Sequence, residues 1–324
     1  MNIFYDPQIF VLQPRGGISK YIRDLMGQFS YKQLIDHNLS ATSLLECQRL
    51  MLNQLNTFQI LHHSYHLPLL VNKKIKRVVT IHDLIWEDAV VELTKKQKLS
   101  LYFKEKQLRQ ASGVICVSEN TYERAMINYP FLRNIHLKVI KHGVELQKNK
   151  KINVSADFQK LGKYILYVGK RHGYKNCKIL LEAYLKNKEL QKLNLVLVGG
   201  EELSFEETNI LMPLLNNKVF HLQNIKDDEL QYLYKKSAFY ISTSKAEGFG
   251  YPIVEALKNG TSCICSNIPV YKELFSDFVT FFRVDDSASL SRAINNHKNP
   301  RVDVNSAFSF QNMIQQHKTF YQTL

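Results

Sequence analysis

No stretch of the 324-residue chain is apolar for the roughly 18 residues that a bilayer-spanning helix takes, so no spanning segment is expected. The opening MNIFYDPQIF has no basic region leading into an apolar one, so no secretory signal is expected either. Cysteine is scarce: Cys47, Cys116, Cys177, Cys263 and Cys265 are odd in number, scattered, and never spaced as CxxC. That excludes a disulfide or cysteine–zinc framework and favours reduced thiols in a cytosolic compartment. GxSxG and GxxxxGK[ST] are absent, which removes a hydrolase nucleophile elbow and a Walker phosphate loop. No D-x-D triplet occurs, so a divalent-metal phosphate site of that kind is not expected. Fixed-period repeats and long low-complexity tracts are also missing. Acid is short relative to base, with 29 Asp and Glu against 43 Lys and Arg, a net charge of +14 and a pI near 9.4. Such a chain attracts nucleic acid, anionic lipid or phosphorylated substrates. No nucleic-acid-binding motif accompanies the charge.

What is present is an alternation of short apolar runs, glycine-rich or polar turns, and helical stretches. In the second half YILYVG (164–169), LNLVLVGG (193–200), KVFHLQNI (218–225), AFYISTS (238–244), SCICSN (262–267) and FVTFFRV (278–284) read as strands. Helices are predicted over 175–187, 226–237 and from Pro252, a good first helical residue, to a stop at Gly260. The first half offers MNIFYD, FQILHHS, RVVTIHD, GVICVS and HLKVIKHG as strands and 17–29 and 95–111 as helices. Near-continuous apolar strands between helices mean parallel sheets covered on both faces. Two doubly wound α/β domains are expected: 1–150, and 151–305 beyond a lysine-rich linker over 144–163. The tail 306–324 reads as one more helix. Ligands in such sheets lie beyond the carboxyl ends of the strands.

Four turns at strand ends carry candidate chemistry. In STSKAEGFGYPIVEAL, Glu247 and Glu255 flank Gly248, Phe249, Gly250 and Pro252. Ser244 and Glu247 have capping-box spacing, but a helix starts poorly through the following glycines and proline. At 3.6 residues per turn Glu255 points about 160° from the Ile253, Val254 and Leu257 face, so it is not a core residue. It is either a surface acid or a ligand contact. The glycine loop and helix start form an anion cradle beside which carboxylates can accept from sugar hydroxyls. In GKRHGYKN, Lys170, Arg171 and Lys175 form either a solvated basic turn or a phosphate grip. QPRGGIS, with Gly17, opens a helix but is not GxGxxG. His82 in TIHD is either structural or a hydroxyl partner. HHSYH (62–66) lacks the partners and spacing of a zinc site. The segment around Lys95, Lys96, Lys98, Lys104, Lys106 and Arg109 is basic, with Leu99, Leu101, Tyr102, Phe103 and Leu108 between. It is either a membrane-surface helix or one that packs its apolar stripe inward.

Together these stretches resemble the retaining glycosyltransferases of family 4. EGFGYPIVEAL matches the E-x7-E motif and YVGKRHGYKN the basic loop. FYDPQIFVLQPRGGISKYIRDL, TIHDLIWE and VICVSENT match a bacterial polysaccharide branch with mannosyl- and rhamnosyltransferases. The resemblance implies the GT-B fold, two Rossmann-like domains facing a cleft, the first on the acceptor side, with the tail helix packing back on it. It implies that Glu247 contacts donor-sugar hydroxyls, Glu255 the ribose, and Arg171 and Lys175 the diphosphate. Amides of Phe249 and Gly250, with Gly248 in the loop, and Gly17 would face the phosphates, and His82 the sugar near the reacting carbon. Lys170 stands where many members have Arg, so Lys170 with Lys175 is an alternative basic pair. Tyr251 replaces the common Leu. The implied activity is metal-independent transfer of mannose from GDP-mannose to a polyprenyl-diphosphate-linked saccharide in O-antigen synthesis. No cofactor is implied, and the place is the anionic inner face of the bacterial inner membrane. A rhamnose or other deoxysugar donor on dTDP, UDP or GDP, or a non-catalytic sugar-nucleotide-binding protein, are the competing expectations.

Overall fold

The apolar runs become two parallel sheets in a computed structural model that describes residues 2–29, 43–53, 57–66, 74–88, 90, 92–146, 158, 160–211, 218–297 and 303–324. The chain divides into two units, Met1–Gly143 with Ser309–Leu324, and Val144–Phe308. Much of the lysine-rich stretch expected as linker, 147–157, lies outside the described residues.

In the N-terminal unit β1 (Ile3–Tyr5), β2 (Ile60–His63), β3 (Lys76–Ile81), β4 (Gly113–Cys116) and β5 (His136–Val139) pair in sequential order, all parallel. In the C-terminal unit β6 (Tyr164–Val168), β7 (Asn194–Val198), β8 (Val219–Leu222), β9 (Phe239–Ser242), β10 (Cys263–Ser266) and β11 (Thr280–Phe282) run in the order β11-β10-β9-β6-β7-β8. These strands are also parallel, with β9 returning to pair against β6. The order therefore reverses between β6 and β9. Sheets of this kind bind ligands at such a switch point, outside the carboxyl ends of the strands.

Helix 17–29 forms as expected, as Gly17–Phe29. The stretch 95–111 forms Lys95–Arg109, started by a Thr94–Gln97 capping box. That helix does not pack an apolar stripe inward. Its buried residues are Ser100, Lys104, Gln107 and Leu108, while Leu99 and Tyr102 are 55% and 60% exposed beside Lys95, Lys96, Lys98 and Lys106. Buried Lys104 is neutralised by Glu87 at 2.6 Å and also bonds the Asp83 carbonyl at 3.0 Å. The charge is thus satisfied in place, and the exposed face is left mixed apolar and basic.

The C-terminal helix Phe310–Gln322 belongs to the core of the N-terminal unit: Phe310, Met313, Phe320 and Tyr321 join Ile3, Tyr5, Ile22, Leu25, Val78 and Ile115. A polar chain fixes it there. The Met313 carbonyl can only accept, so His317 Nδ1 carries the proton it shares with it at 2.8 Å. His317 Nε2 then accepts from Tyr21 (2.7 Å), Tyr21 from Thr80 (3.1 Å), and Thr80 from His62 Nε2 (2.8 Å). His62 Nδ1 accepts from Tyr321 (2.7 Å), which accepts from Tyr5 (3.0 Å). With both histidines neutral, every link is satisfied in this direction.

Burial drives the His317 imidazole down from 6.5 to about 4 and that of His62 well below its ordinary value. Between about 4 and 6.5 the unfolded chain binds a proton at His317 that the folded chain refuses, so stability rises with pH there and falls as pH is lowered. Lowering pH from about 7 to about 4 is expected to cost this unit about 3 kcal/mol through His317. Calorimetric melts across that window check it, and His317→Gln should remove this share of the slope while that of His62, His66, His82 and His142, also lowered by burial, remains.

Candidate active site

At the switch point, two loops are locked to each other before any charge is considered. The Tyr167 hydroxyl, at the end of β6, donates to the Lys170 carbonyl at 2.7 Å. Thr243, after β9, donates to the Lys175 carbonyl at 2.8 Å, and the Lys245 amide to the Tyr174 carbonyl at 2.7 Å. Asp285 accepts from Asn176 at 2.9 Å and pairs with Lys245 at 2.8 Å, tying both loops to the end of β11. The result is that Lys175 Nζ meets Glu247 Oε1 at 2.5 Å, with both side chains mostly buried. Ser244 Oγ also donates to Glu247 Oε1, at 2.7 Å. The S-x-x-E spacing therefore signals a side-chain bond within a loop, not a capping box.

The helix Tyr251–Lys258 begins one residue before Pro252, because Gly250 takes up the turn at φ 105. Only glycine fits there: a Cβ would stand 2.8 Å from the Tyr271 ring and 3.0 Å from the Phe275 ring. Phe249 is buried against Phe275 and Phe308, which anchors the loop between Glu247 and the helix start. Glu255 is half-buried, and the buried Tyr234 hydroxyl donates to its Oε2 at 3.2 Å. It is neither core nor a detached surface acid.

Arg171 differs from the expectation of a diphosphate contact. Its side chain is wholly buried. Nε donates to Glu207 Oε1 (2.8 Å), Nη1 to the Gly199 carbonyl (2.9 Å), and Nη2 to the Glu201 and Glu202 carbonyls (2.5 and 2.9 Å). His221 Nε2 lies 3.0 Å from Nη1. Burial raises the Glu207 carboxyl, but the Arg171 bonds and the Ser204 amide outweigh it and hold it below its ordinary value. All three guanidinium nitrogens are thus engaged in bracing the turn after β7. Gly200, at φ 75, makes room for them: a Cβ there would stand 2.7 Å from Nη1. Lys170, by contrast, is exposed.

Gly17 and His82 lie in the N-terminal unit. Gly17 opens its helix, and the preceding Gly16 carbonyl accepts from Lys20 N and Ser19 Oγ. His82 follows β3, with Tyr21 edge-on at 5.2 Å and His142 stacked at 5.8 Å. Its Nε2 is buried without a hydrogen-bond partner among the described residues. Burial first, then His66 and Lys104, pushes its imidazole down to about 3. It is therefore a neutral hydrogen-bonding group at ordinary pH. The histidines of HHSYH go to different partners: His62 to the Tyr321–Thr80 chain, His63 to Asp6, His66 to Gln107. Among the described residues no group of three or more His, Cys, Asp or Glu is placed to hold a metal ion.

The C-terminal unit, with its polar loops gathered where the strand order reverses, is a doubly wound α/β domain, and two parallel-sheet α/β domains make the GT-B fold. Residues 148–301 match the family model described as glycosyl transferases group 1, and that stretch is a group 1 glycosyltransferase domain. The chain is 27% identical over 249 residues to the O-antigen chain mannosyltransferase RfbU of Salmonella typhimurium, covering 72% of this chain and 63% of that one. It is 28% identical over 148 residues to the GDP-mannose:cellobiosyl-diphosphopolyprenol alpha-mannosyltransferase of Xanthomonas oryzae, covering 44% and 37%. The chain thus spans less than two thirds of the length of these curated relatives. The crystal structure of Anabaena HepE in complex with UDP and glucose has the same fold, with a TM-score of 0.72, 18% identity and 100% of both chains covered.

Proposed function

We propose that the protein is a retaining, metal-independent glycosyltransferase that moves mannose from GDP-mannose to a polyprenyl-diphosphate-linked saccharide in O-antigen synthesis. The observation that carries this is the Lys175–Glu247 pair at the β6/β9 switch point, beside the Gly250 helix start. One Lys175 N–H goes to Glu247 and leaves two for a diphosphate. The exposed Lys170 adds a second cation, so the basic pair is Lys170 with Lys175 and Arg171 holds the scaffold. A bound diphosphate competes for Lys175 and turns Glu247 toward a sugar hydroxyl. Glu255, steadied by Tyr234, is assigned to the ribose. In the transfer, the bond from the anomeric carbon to the diphosphate oxygen breaks. The acceptor oxygen bonds that carbon from the same face, and its proton passes to the departing diphosphate. Lys170, Lys175 and the helix start stabilise the charge that develops on that group.

The mannose donor is favoured over a deoxysugar because RfbU and the Xanthomonas relative are both named as mannosyltransferases. Thermal shifts decide the donor. At a hundred times Kd a true ligand adds about 2.7 kcal/mol to stability. GDP-mannose is expected to raise the melting temperature by several degrees, with UDP- and dTDP-sugars inert and EDTA without effect. A shift with dTDP-rhamnose alone would move the assignment to the deoxysugar reading. A shift without transfer or hydrolysis would move it to a binding protein.

The outward face of helix Lys95–Arg109 supports association with anionic lipid, since Leu99 and Tyr102 stand among lysines. No helix among the described residues is long and apolar enough to cross a membrane. Vesicles with a quarter phosphatidylglycerol should co-sediment the protein at low salt and release it at high salt. Leu99→Glu with Tyr102→Glu should weaken this, and equal binding to neutral vesicles would refute it.

A further inference from the structure

The N-terminal unit holds a second polar assembly at the carboxyl ends of its strands, apart from the chain that fixes the C-terminal helix. Asp6 follows β1 and is fully buried. Its Oδ1 accepts from the Gln8 amide (3.1 Å) and Ser64 Oγ (2.6 Å), and its Oδ2 from the Ser64 amide (2.9 Å). Oδ2 also lies 3.4 Å from Nδ1 of His63, the last residue of β2, which is 5% exposed. A carboxylate can only accept, so His63 carries its proton on Nδ1 and leaves Nε2 as a bare acceptor. That Nε2 is buried and has no hydrogen-bond partner among the described residues.

Gln107, from the inward face of helix Lys95–Arg109, stands with its amide nitrogen 3.5 Å from His63 Nδ1 and its amide oxygen 3.4 Å from His66 Nδ1, two ends of nearly identical shape. With the proton on His63 Nδ1, the amide turns its oxygen to His63 and its NH2 to His66, since amide orientation follows from the network. His66 Nδ1 then accepts, and His66 carries its proton on Nε2. The two imidazoles offer opposite polarity, one acceptor and one donor. Ser100 Oγ, on the same buried helix face as Gln107, is also without a partner among the described residues. An unmade bond at a buried polar atom costs about 1–3 kcal/mol, so such atoms point to a ligand that completes them.

The chemistry of that ligand follows from the charge. Lys104 is consumed by Glu87 and the Asp83 carbonyl, and burial together with Lys104 drives His66 down to about 3. A buried site offering neutral donors and acceptors suits hydroxyls and not anions. We infer that Asp6, His63, Gln107 and His66 form the hydroxyl-recognition site for the saccharide acceptor, with His63 Nε2 accepting from one acceptor hydroxyl. Asp6 is a positioning residue that acts through the His63 tautomer. The inference rests on the glycosyltransferase reading above and assigns its acceptor side.

The test uses the full chain, GDP-mannose and a panel of octyl glycosides of mannose, glucose, galactose and N-acetylglucosamine. His63→Phe should raise acceptor KM by about tenfold or more while donor KM moves less than twofold. His63→Gln, which keeps an acceptor oxygen, should recover most of that loss. Long-range 15N–1H spectra of the imidazoles should show His63 protonated on Nδ1, and protonated on Nε2 in Asp6→Asn. An unchanged acceptor KM in His63→Phe, or a wild-type His63 protonated on Nε2, overturns the inference. So does a wild-type protein that hydrolyses GDP-mannose but glycosylates none of the panel. Failure to bind or hydrolyse any nucleotide sugar would instead sink the donor reading, and the imidazole spectra would still decide the Asp6–His63 device.

Discussion

Glu247→Ala is expected to lower transfer by about a hundred- to a thousandfold without unfolding the protein, the scale seen when one preorganised polar contact to a developing charge is lost. The loss has two physical parts. The carboxylate proposed to bind the sugar hydroxyl is gone, and Lys175, held at 2.5 Å from it, loses the group that aims it. Because the two side chains act as a unit, Lys175→Ala should cost a similar factor. The double variant should be little worse than the poorer single one, since interacting residues are not additive. Both side chains are mostly buried, so the partner left unpaired should lower the melting temperature, but by less than loss of the wholly buried Arg171. Steady-state transfer assays with melts on the same preparations check this. Full transfer by a folded Glu247→Ala protein would remove Glu247 from the site.

Arg171→Ala should act chiefly on stability, with a large fall. Removing a guanidinium buried against Glu207 and three backbone carbonyls takes four hydrogen bonds from the turn, although Glu207 keeps the Ser204 amide and the Gly199 carbonyl still faces His221 Nε2. Breaking one side of such a buried pair costs about 3–5 kcal/mol. At about 2–4 °C per kcal/mol, the melting temperature should fall by about 10 °C. Arg171→Lys should not restore it, because an ammonium cannot replace a planar fork that reaches separated acceptors. Lys170→Ala should leave stability unchanged and raise donor KM. Calorimetry beside donor titration separates the two lysine and arginine roles. A normally melting Arg171→Ala protein with weakened donor binding would return Arg171 to the diphosphate.

Much of the fold was legible because its signals are local. The runs YILYV, NLVLV and CICS are apolar on both faces, which is what strands covered by helices on both sides need. Gly17–Phe29 could be read to the residue from the spacing of Ile18, Tyr21, Ile22 and Leu25. The start of Tyr251–Lys258 was missed by one residue, since the helix begins where Gly250 turns at positive φ and not at the proline. Helix Lys95–Arg109 shows the limit of periodicity. Its leucines and aromatics predict an inward stripe only if nothing else on the helix has a buried partner, and Lys104 has Glu87.

By itself, the sequence determined the two parallel-sheet units and the loops at their strand ends. It also determined the glycine turn that sets Glu247 before a helix, because strand alternation, turn chemistry and helix starts depend on neighbours a few residues away. Only the tertiary structure decided that Arg171 is spent on the scaffold and that Lys175 pairs with Glu247. Arg171 finds Glu207 36 residues on, Lys175 finds Glu247 72 residues on, and Tyr21 finds His317 296 residues on. Residue type alone separates none of these roles: Arg171 and Lys175 share one basic turn, and Tyr21 sits inside helix Gly17–Phe29. Burial and the partner that arrives from far along the chain made one a brace, one half of an ion pair between two loops, and one a latch for the C-terminal helix.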